Sequence, residues 1–387
     1  LLEPESAIAP HRNQHPLLLT PHYTTTTAGG RPTSTSKWRS SASFAIEVRI
    51  NAPAEFPHTG ERSVVADKLL QIATGISPFL PVNTPLSAVS ILTHTILFIF
   101  RLPLFLVYAA SYFVLFHHLP LPVIARKMAL WGLMAIPGIW WVDLQLDGVK
   151  RGTLSDQPLH RFPHPGSIIA ANFTSPIDAV YLAAIFDPVF TVSYPGERRV
   201  ERVSLFGAII QALAPVKTAP PPGAKLVEIK DLLKAYPDRV IAVFPESGTS
   251  NGKAVLPFSP SLVETPSDVP MFPVSIRYAP PDVTTPVPGL WFGFLWSLLS
   301  RPTSCIRVRI ADSQLNTAAA NTDSAHSSNG TGELKFRGDG STSTSAEEKR
   351  VLDRVGEALA RLGRVKRVGL TMKDKAAFVN AYNKKKP

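Results

Sequence analysis

The sequence predicts an α/β fold, a mixed sheet flanked by helices, preceded by a membrane-embedded helical segment. Three observations predict it. Short apolar runs alternate with helical patterns between residues 143 and 312, the signature of strands and helices packed in layers. The stretch from Leu86 to His118 carries one formal charge, Arg101. The chain is 387 residues long and only 18% charged, below the roughly 25% of soluble domains, and it holds 37 prolines, about twice the usual ~5%. A collagen, a coiled coil and a disulfide-stapled secreted domain are excluded. With Cys305 as the single cysteine, neither an intrachain bridge nor a thiolate metal site can form, and no metal or redox cofactor is implied.

Residues 1–65 are rich in Thr, Ser, Pro and His without an apolar period, so they read as a disordered tail. Their acid-free stretch, with Arg12, Arg31, Lys37 and Arg39, has the composition of a transit peptide but lacks an amphipathic helix. Residues 66–142 form the membrane-embedded region, with 86–142 inside the bilayer. Spanning takes ~20 apolar residues, and Arg101-Leu102-Pro103 splits the run into two halves. That leaves one long kinked span or a re-entrant hairpin with Arg101 reaching the headgroups. A second apolar stretch, Met128 to Val142, carries Trp131, Trp140 and Trp141, a residue type suited to the interface. The plain alternative is a buried core helix, which seldom runs this long without polar residues.

From 143 to 312 the pattern is that of one α/β domain. Residues 167–171, 189–193, 240–244, 272–276 and 305–310 read as strands, with helical patterns at 176–186, 203–213 and 224–236. A polar low-complexity linker follows over 313–348. The last segment, 349–387, holds twelve Lys and Arg against three acids, most of the net +11. Val351, Val355, Leu359 and Leu362 recur at helical spacing, so a basic amphipathic helix can lie on anionic lipid, or equally be a solvated face without a partner. Nucleic acid is not expected, because no binding motif or aromatic platform accompanies the charge.

Two segments stand at the carboxyl ends of strands, where α/β folds place their sites. In Asn172-Phe173-Thr174-Ser175-Pro176-Ile177-Asp178, Pro176 suits the first turn of a helix, and Asp178 would sit where the dipole favours a carboxylate; a plain cap is the bland reading. In Phe244-Pro245-Glu246-Ser247-Gly248-Thr249, small residues and hydroxyls can cradle an anion, with Lys253 beyond. The spacing from Gly248 to Gly252-Lys253-Ala254 fails the P-loop pattern, and no G-x-S-x-G or zinc motif occurs.

Together these segments resemble the glycerolipid acyltransferases of the lysophosphatidic acid acyltransferase type, and within them divergent fungal members. That family shows Asn-His-x-Ser-x-x-Asp, a block with a basic residue, Phe-Pro-Glu-Gly-Thr, and a strand block with proline. Asn172, Ser175 and Asp178 match the first. Phe244, Pro245, Glu246, Gly248 and Thr249 match the third, with Ser247 intervening, and Pro273 falls in the fourth. Arg198, Arg199 or Arg202 would supply the basic block. The resemblance implies Asn172, Ser175 and Asp178 as catalytic, and Arg198, Arg199, Phe244 to Thr249 and Pro273 as substrate-binding.

It also implies acyl-CoA as donor and a lysophospholipid such as 1-acylglycerol-3-phosphate as acceptor, while the apolar 86–142 region and the basic C-terminal helix point to a bilayer with anionic lipids as platform. The membrane would be endoplasmic reticulum or lipid droplet, with the active domain facing the cytosol. Phe173 departs from the pattern: the family's histidine, the general base on the acceptor hydroxyl, is replaced by a ring that carries no proton. Another base such as His160 or His164, proximity of the two substrates alone, or lipid binding without catalysis are the three ways to read that departure.

Overall fold

In a computed structural model the described residues are 78–384, apart from 83, 85–87, 117–118, 151, 155 and 319–344. The expected tail over 1–65 and most of the polar linker lie outside them. Ten strands are described, eight of them in one sheet: β1 Ile139–Leu146, β2 Ile168–Ala171, β3 Val189–Val192, β4 Val200–Val203, β5 Leu226–Val227, β6 Ile241–Val243, β8 Met271–Ala279 and β9 Ser304–Ile310. Their order is β1-β9-β8-β2-β6-β3-β4-β5. The neighbours β8, β2, β6 and β3 run parallel, and the antiparallel partners lie toward the edges. Every residue of β2, β3 and β6 is buried, as expected for parallel strands covered on both faces, whose sequences run apolar without alternation.

Eight helices are described. The helix α1, Ala88–Ser111, continues through Pro103 into a π-helical turn, Tyr112–Phe116. It is followed by α2 Val123–Ala135, α3 Pro176–Phe186, α4 Leu205–Gln211, α5 Ile229–Ala235, α6 Trp291–Leu299, α7 Ala346–Gly363 and α8 Met372–Lys384. The segment Val89–Phe116 is long and apolar enough to cross a membrane. The chain does not break at Arg101. That guanidinium instead donates to the carbonyl oxygens of Pro137 and Leu299 at 3.4 Å and Pro302 at 3.1 Å, and to that of Arg301. Arginine here satisfies the open end of α6 and the turn before β1, which fastens α1 to the domain. His94, Phe98 and Tyr112 are the buried residues of α1 and its π turn, and Phe98 packs on Trp296 and Phe292. Between them Leu92, Phe100, Val107 and Val114 are more than 60% exposed, so one stripe docks and the rest is an open apolar surface.

Two expectations change. The helical region ends at Ala135, and Trp140 and Trp141 stand on β1, an edge strand of the sheet, rather than in the membrane-embedded segment. The basic C-terminal helix does not turn its apolar stripe outward: Val351, Val355, Leu359 and Leu362 of α7 are buried against the sheet, where α7 packs on β8. The second sheet face needs a cover, and each large aliphatic side chain buried there contributes about 1.5–3 kcal/mol. A further parallel pair, β7 Ala254–Val255 with β10 Lys366–Arg367, ties the C-terminal region to the chain that follows β6.

Candidate active site

The loops after β2 and β6 meet at the carboxyl edge of the parallel strands. Ser175 caps α3 and Pro176 opens it, while Asp178 at the third helical position closes a capping box. Asp178 is fully buried. Its Oδ2 accepts from the backbone N–H of Thr174 at 2.6 Å and of Ser175 at 2.9 Å, and from Thr174 Oγ1 at 3.1 Å. Its Oδ1 accepts from the hydroxyl of Tyr278. Burial pushes the carboxyl up to about 6, and the four donors hold it from rising further. The hydroxyl of Tyr278, from β8, is thus the closest side-chain donor to Oδ1 of Asp178.

Asn172 and Ser175 fix the loop. Asn172 Nδ2 donates to Ile276 O at 2.9 Å and its Oδ1 accepts from Ile276 N at 2.7 Å, extending the β2–β8 ladder through a side chain. Ser175 Oγ donates to Val283 O at 2.8 Å. Phe173 lies buried beneath them, stacked on Phe244 with ring centroids 4.4 Å apart and planes at 24°. The two motif phenyls therefore fill the space in which a base would stand. A cavity of about 10 Å³, lined by Phe173, Ser193, Gln211, Phe244 and Ser247 among others, leaves room for no more than one water.

The second loop is tied to the first by Ser250 N, which donates to Phe173 O at 3.0 Å. Ser247 takes the left-handed conformation at φ 59°, a cost for a residue with a Cβ that a tight turn imposes. Thr249 Oγ1 donates to Thr285 O at 2.6 Å. Glu246 is buried, receives only a long contact from Leu256 N at 3.5 Å, and leaves Oε1 without a partner. Burial pushes it up to about 8, against the pull of Lys375. Lys375, from α8, is itself buried and pushed down to about 7 by the same loss of water. Its Nζ donates to Thr249 O at 2.6 Å and Oγ1 at 3.1 Å.

Other expected residues stand elsewhere. Arg198 forms ion pairs with Glu348 at 2.8 Å and Glu264 at 3.4 Å, so its charge is already matched. Arg202, an exposed residue of β4, pairs across the ladder with Thr191 and lies 4.8 Å over the Tyr236 ring. Arg199 immediately precedes β4. Pro273 sits within β8 opposite Ala170, and its carbonyl accepts from Ala311 N at 3.0 Å; its role there is in the sheet. His164 precedes β2, at the opposite end of that strand from Asp178, and its ring contacts Phe162 O at 3.0 Å. His160 lies on an exposed turn. Neither histidine reaches the loops, because β2 runs its whole length between them. Besides Lys375, a second cation stands beside the small cavity: Lys217, whose Nζ donates to the cavity-lining Gln211 Oε1 at 3.1 Å and lies 6.0 Å from the Tyr194 ring. Sequence reading missed it, although Lys217 closely follows the helical pattern at 203–213 as an isolated cation.

Residues 155–277 match the family model described as Acyltransferase. The chain is 26% identical over 321 residues to a putative lysophosphatidic acid:oleoyl-CoA acyltransferase of Schizosaccharomyces pombe, a match covering 81% of this chain and 96% of that protein. It is 27% identical over 192 residues to lysophosphatidic acid:oleoyl-CoA acyltransferase 1 of Saccharomyces cerevisiae, covering 48% of this chain and 57% of that protein. Residues 155–277 thus match the acyltransferase model, within a chain distantly similar to fungal proteins named as lysophosphatidic acid:oleoyl-CoA acyltransferases.

Proposed function

We propose that this acyltransferase-family chain moves an acyl group from acyl-CoA to a lysophospholipid, with lysophosphatidic acid as acceptor, at a membrane surface of the endoplasmic reticulum or lipid droplet. The observation that carries the reading is the junction of the two motif loops at the carboxyl edge of the sheet, with Asp178 buried in the first and Glu246 to Thr249 in the second. The names of the similar proteins support the substrates. The apolar surface of α1 supports a site beside the bilayer, where a lysolipid resides.

In the proposed reaction the acceptor hydroxyl oxygen attacks the thioester carbonyl carbon, the C–S bond breaks, and the hydroxyl proton ends on the released thiol. Lys217 holds the acceptor phosphate as a point charge. Substrate enters by displacing α4, whose Ala208 and Gln211 wall the small cavity. Phe173 and Phe244 exclude water around the acyl chain, and positioning does the work that a base would share. Missing general-base assistance costs a factor of typically 10²–10⁴, so the reading expects slow turnover. The Phe173–Phe244 stack favours a second reading, a lipid-binding protein without transfer. Labelled oleoyl-CoA and lysophosphatidic acid with purified protein separate the two: product lost in Asp178→Asn supports transfer, and bound lipid without product over several acceptors supports the second.

A further inference from the structure

We propose that a cavity at the amino-terminal edge of the sheet binds the phosphate of an anionic membrane glycerophospholipid, as an anchoring site separate from the loops of Asp178 and Glu246. The cavity, about 170 Å³, is lined by Arg126 of α2, Arg202 of β4 and Arg239 just before β6, together with Tyr112, Asp187 and Ser204. Three arginines line the cavity against one carboxylate, and two of their guanidinium groups, those of Arg126 and Arg239, face it. Asp187 takes ion pairs from Arg126 and, at 3.3 Å, from Arg239. Arg239 is otherwise spent on the carbonyl oxygens of Asp187 and Pro188 at 2.8–3.0 Å. Arg202 lies over the Tyr236 ring and has no carboxylate partner among the described residues. Arg126 keeps a buried Nε without a partner. The net charge of the lining is positive, and its donors suit the several oxygens of a phosphate in bidentate pairs.

The surroundings identify the source of that phosphate as lipid. Arg126 stands on α2 between Ile124 and Met128, both more than 60% exposed. The π turn that supplies Tyr112 also carries the exposed Val114, Leu115 and Phe116, and Phe206 beside Leu205 is half exposed. The basic cavity thus opens where the apolar α1–α2 hairpin turns, the level at which headgroups lie when such a surface enters a bilayer. An acceptor bound here could not react at Asp178, because the cavity lies at the starting residues of β3, Val189 and Phe190, and the motif loops lie beyond the ends of the parallel strands.

The test uses the full chain with sucrose-loaded vesicles of phosphatidylcholine, alone or with a minority of phosphatidic acid, in wild type, Arg202→Gln, Arg126→Gln/Arg202→Gln, and Arg350→Gln on α7 as a charge control. Wild type should bind the acidic vesicles several-fold tighter. Arg202→Gln should lose most of that several-fold gain, the loss of one charge-assisted contact, with phosphatidylcholine binding unchanged; because Arg202 makes no ion pair among the described residues, this variant stands even where the double variant fails to fold. Equal losses in Arg202→Gln and Arg350→Gln would mean diffuse charge and overturn the site. A gain cancelled by millimolar inorganic phosphate would show a free-phosphate site and overturn the lipid assignment. Since vesicle binding is read without turnover, these outcomes are independent of whether acyl transfer is found.

Discussion

The ammonium of Lys375 donates to the carbonyl oxygen of Thr249 at 2.6 Å, across a sequence separation of 126 residues. A lysine on α8 thus braces the loop that carries Glu246. The contact is close: a Cβ added to Gly248 would meet Met372 Sδ at 2.7 Å, so a larger residue there would make the Met372 side chain move. Lys375→Met keeps the apolar stem and deletes the donor. It should lower the unfolding free energy by about 1–3 kcal/mol, since Thr249 O is left buried without its partner, as measured by urea denaturation. Unchanged stability would show that the loop does not depend on α8.

Glu246 sets a pH dependence of known sign. Its carboxyl is raised from 4.5 to about 8 in the folded chain, so the folded state holds a proton that the unfolded state releases above pH 4.5. Stability contributed this way is complete below the unfolded value and is lost as pH rises toward 8. Asp178, raised to about 6, adds loss in the lower part of that window. Lys375, lowered to about 7, acts oppositely above pH 7, where the unfolded state holds the extra proton, and flattens the curve there. Glu246→Gln should therefore be less pH-sensitive than wild type between about pH 5 and 7. Parallel curves for the two proteins would sink the assignment.

What the sequence disclosed follows from how local each signal is. α3 was readable to its ends, because Ser175-Pro176 writes its start and its apolar residues are continuous. The strands β2, β6, β8 and β9 were readable as apolar runs. β1 was not, because Trp140-Trp141-Val142 continues the apolar composition of α2 without a polar break. β4 was not, because Glu201 and Arg202 sit on a strand near the sheet edge, where polar side chains reach solvent. At the site, the motif residues were legible and their roles were not: Asn172 and Pro273 hold the sheet, and Arg198 is matched by Glu348, a residue 150 positions away. Lys375 could not be found at all, since nothing near it in sequence marks a residue that will be buried against a distant loop.

Arg101 makes a prediction about α1. Its guanidinium satisfies four carbonyl groups at the end of α6 and before β1. Arg101→Leu makes the helix more apolar and removes its fastening. Carbonate-resistant sedimentation with membranes should be retained, while protease cleavage around residues 300–303 should become faster in detergent. A variant released from the membrane would instead mean that Arg101 acts at the headgroups.

In the proposed reaction Phe173 stands at the position the base would take. Its ring stacks on Phe244 and blocks the place from which an imidazole could meet both Asp178 and an acceptor hydroxyl. Asp178 is already ionisable and buried, with Thr174 Oγ1 as its weakest donor at 3.1–3.5 Å. Phe173→His places a ring nitrogen near that carboxylate with little change in volume, since imidazole is smaller than phenyl, and opens space in a cavity that now holds at most one water. With lysophosphatidic acid and oleoyl-CoA, turnover should rise by about 10–100-fold, short of the full 10²–10⁴ because the surrounding contacts were built around phenyl. The gain should appear in kcat rather than KM, disappear when Asp178→Asn is added, and fall off below the pKa of the new imidazole, ordinarily ~6.5. A Phe173→His chain that binds lysophosphatidic acid but gains no turnover would show that the loops have lost the geometry of transfer, and would favour lipid binding as the surviving function.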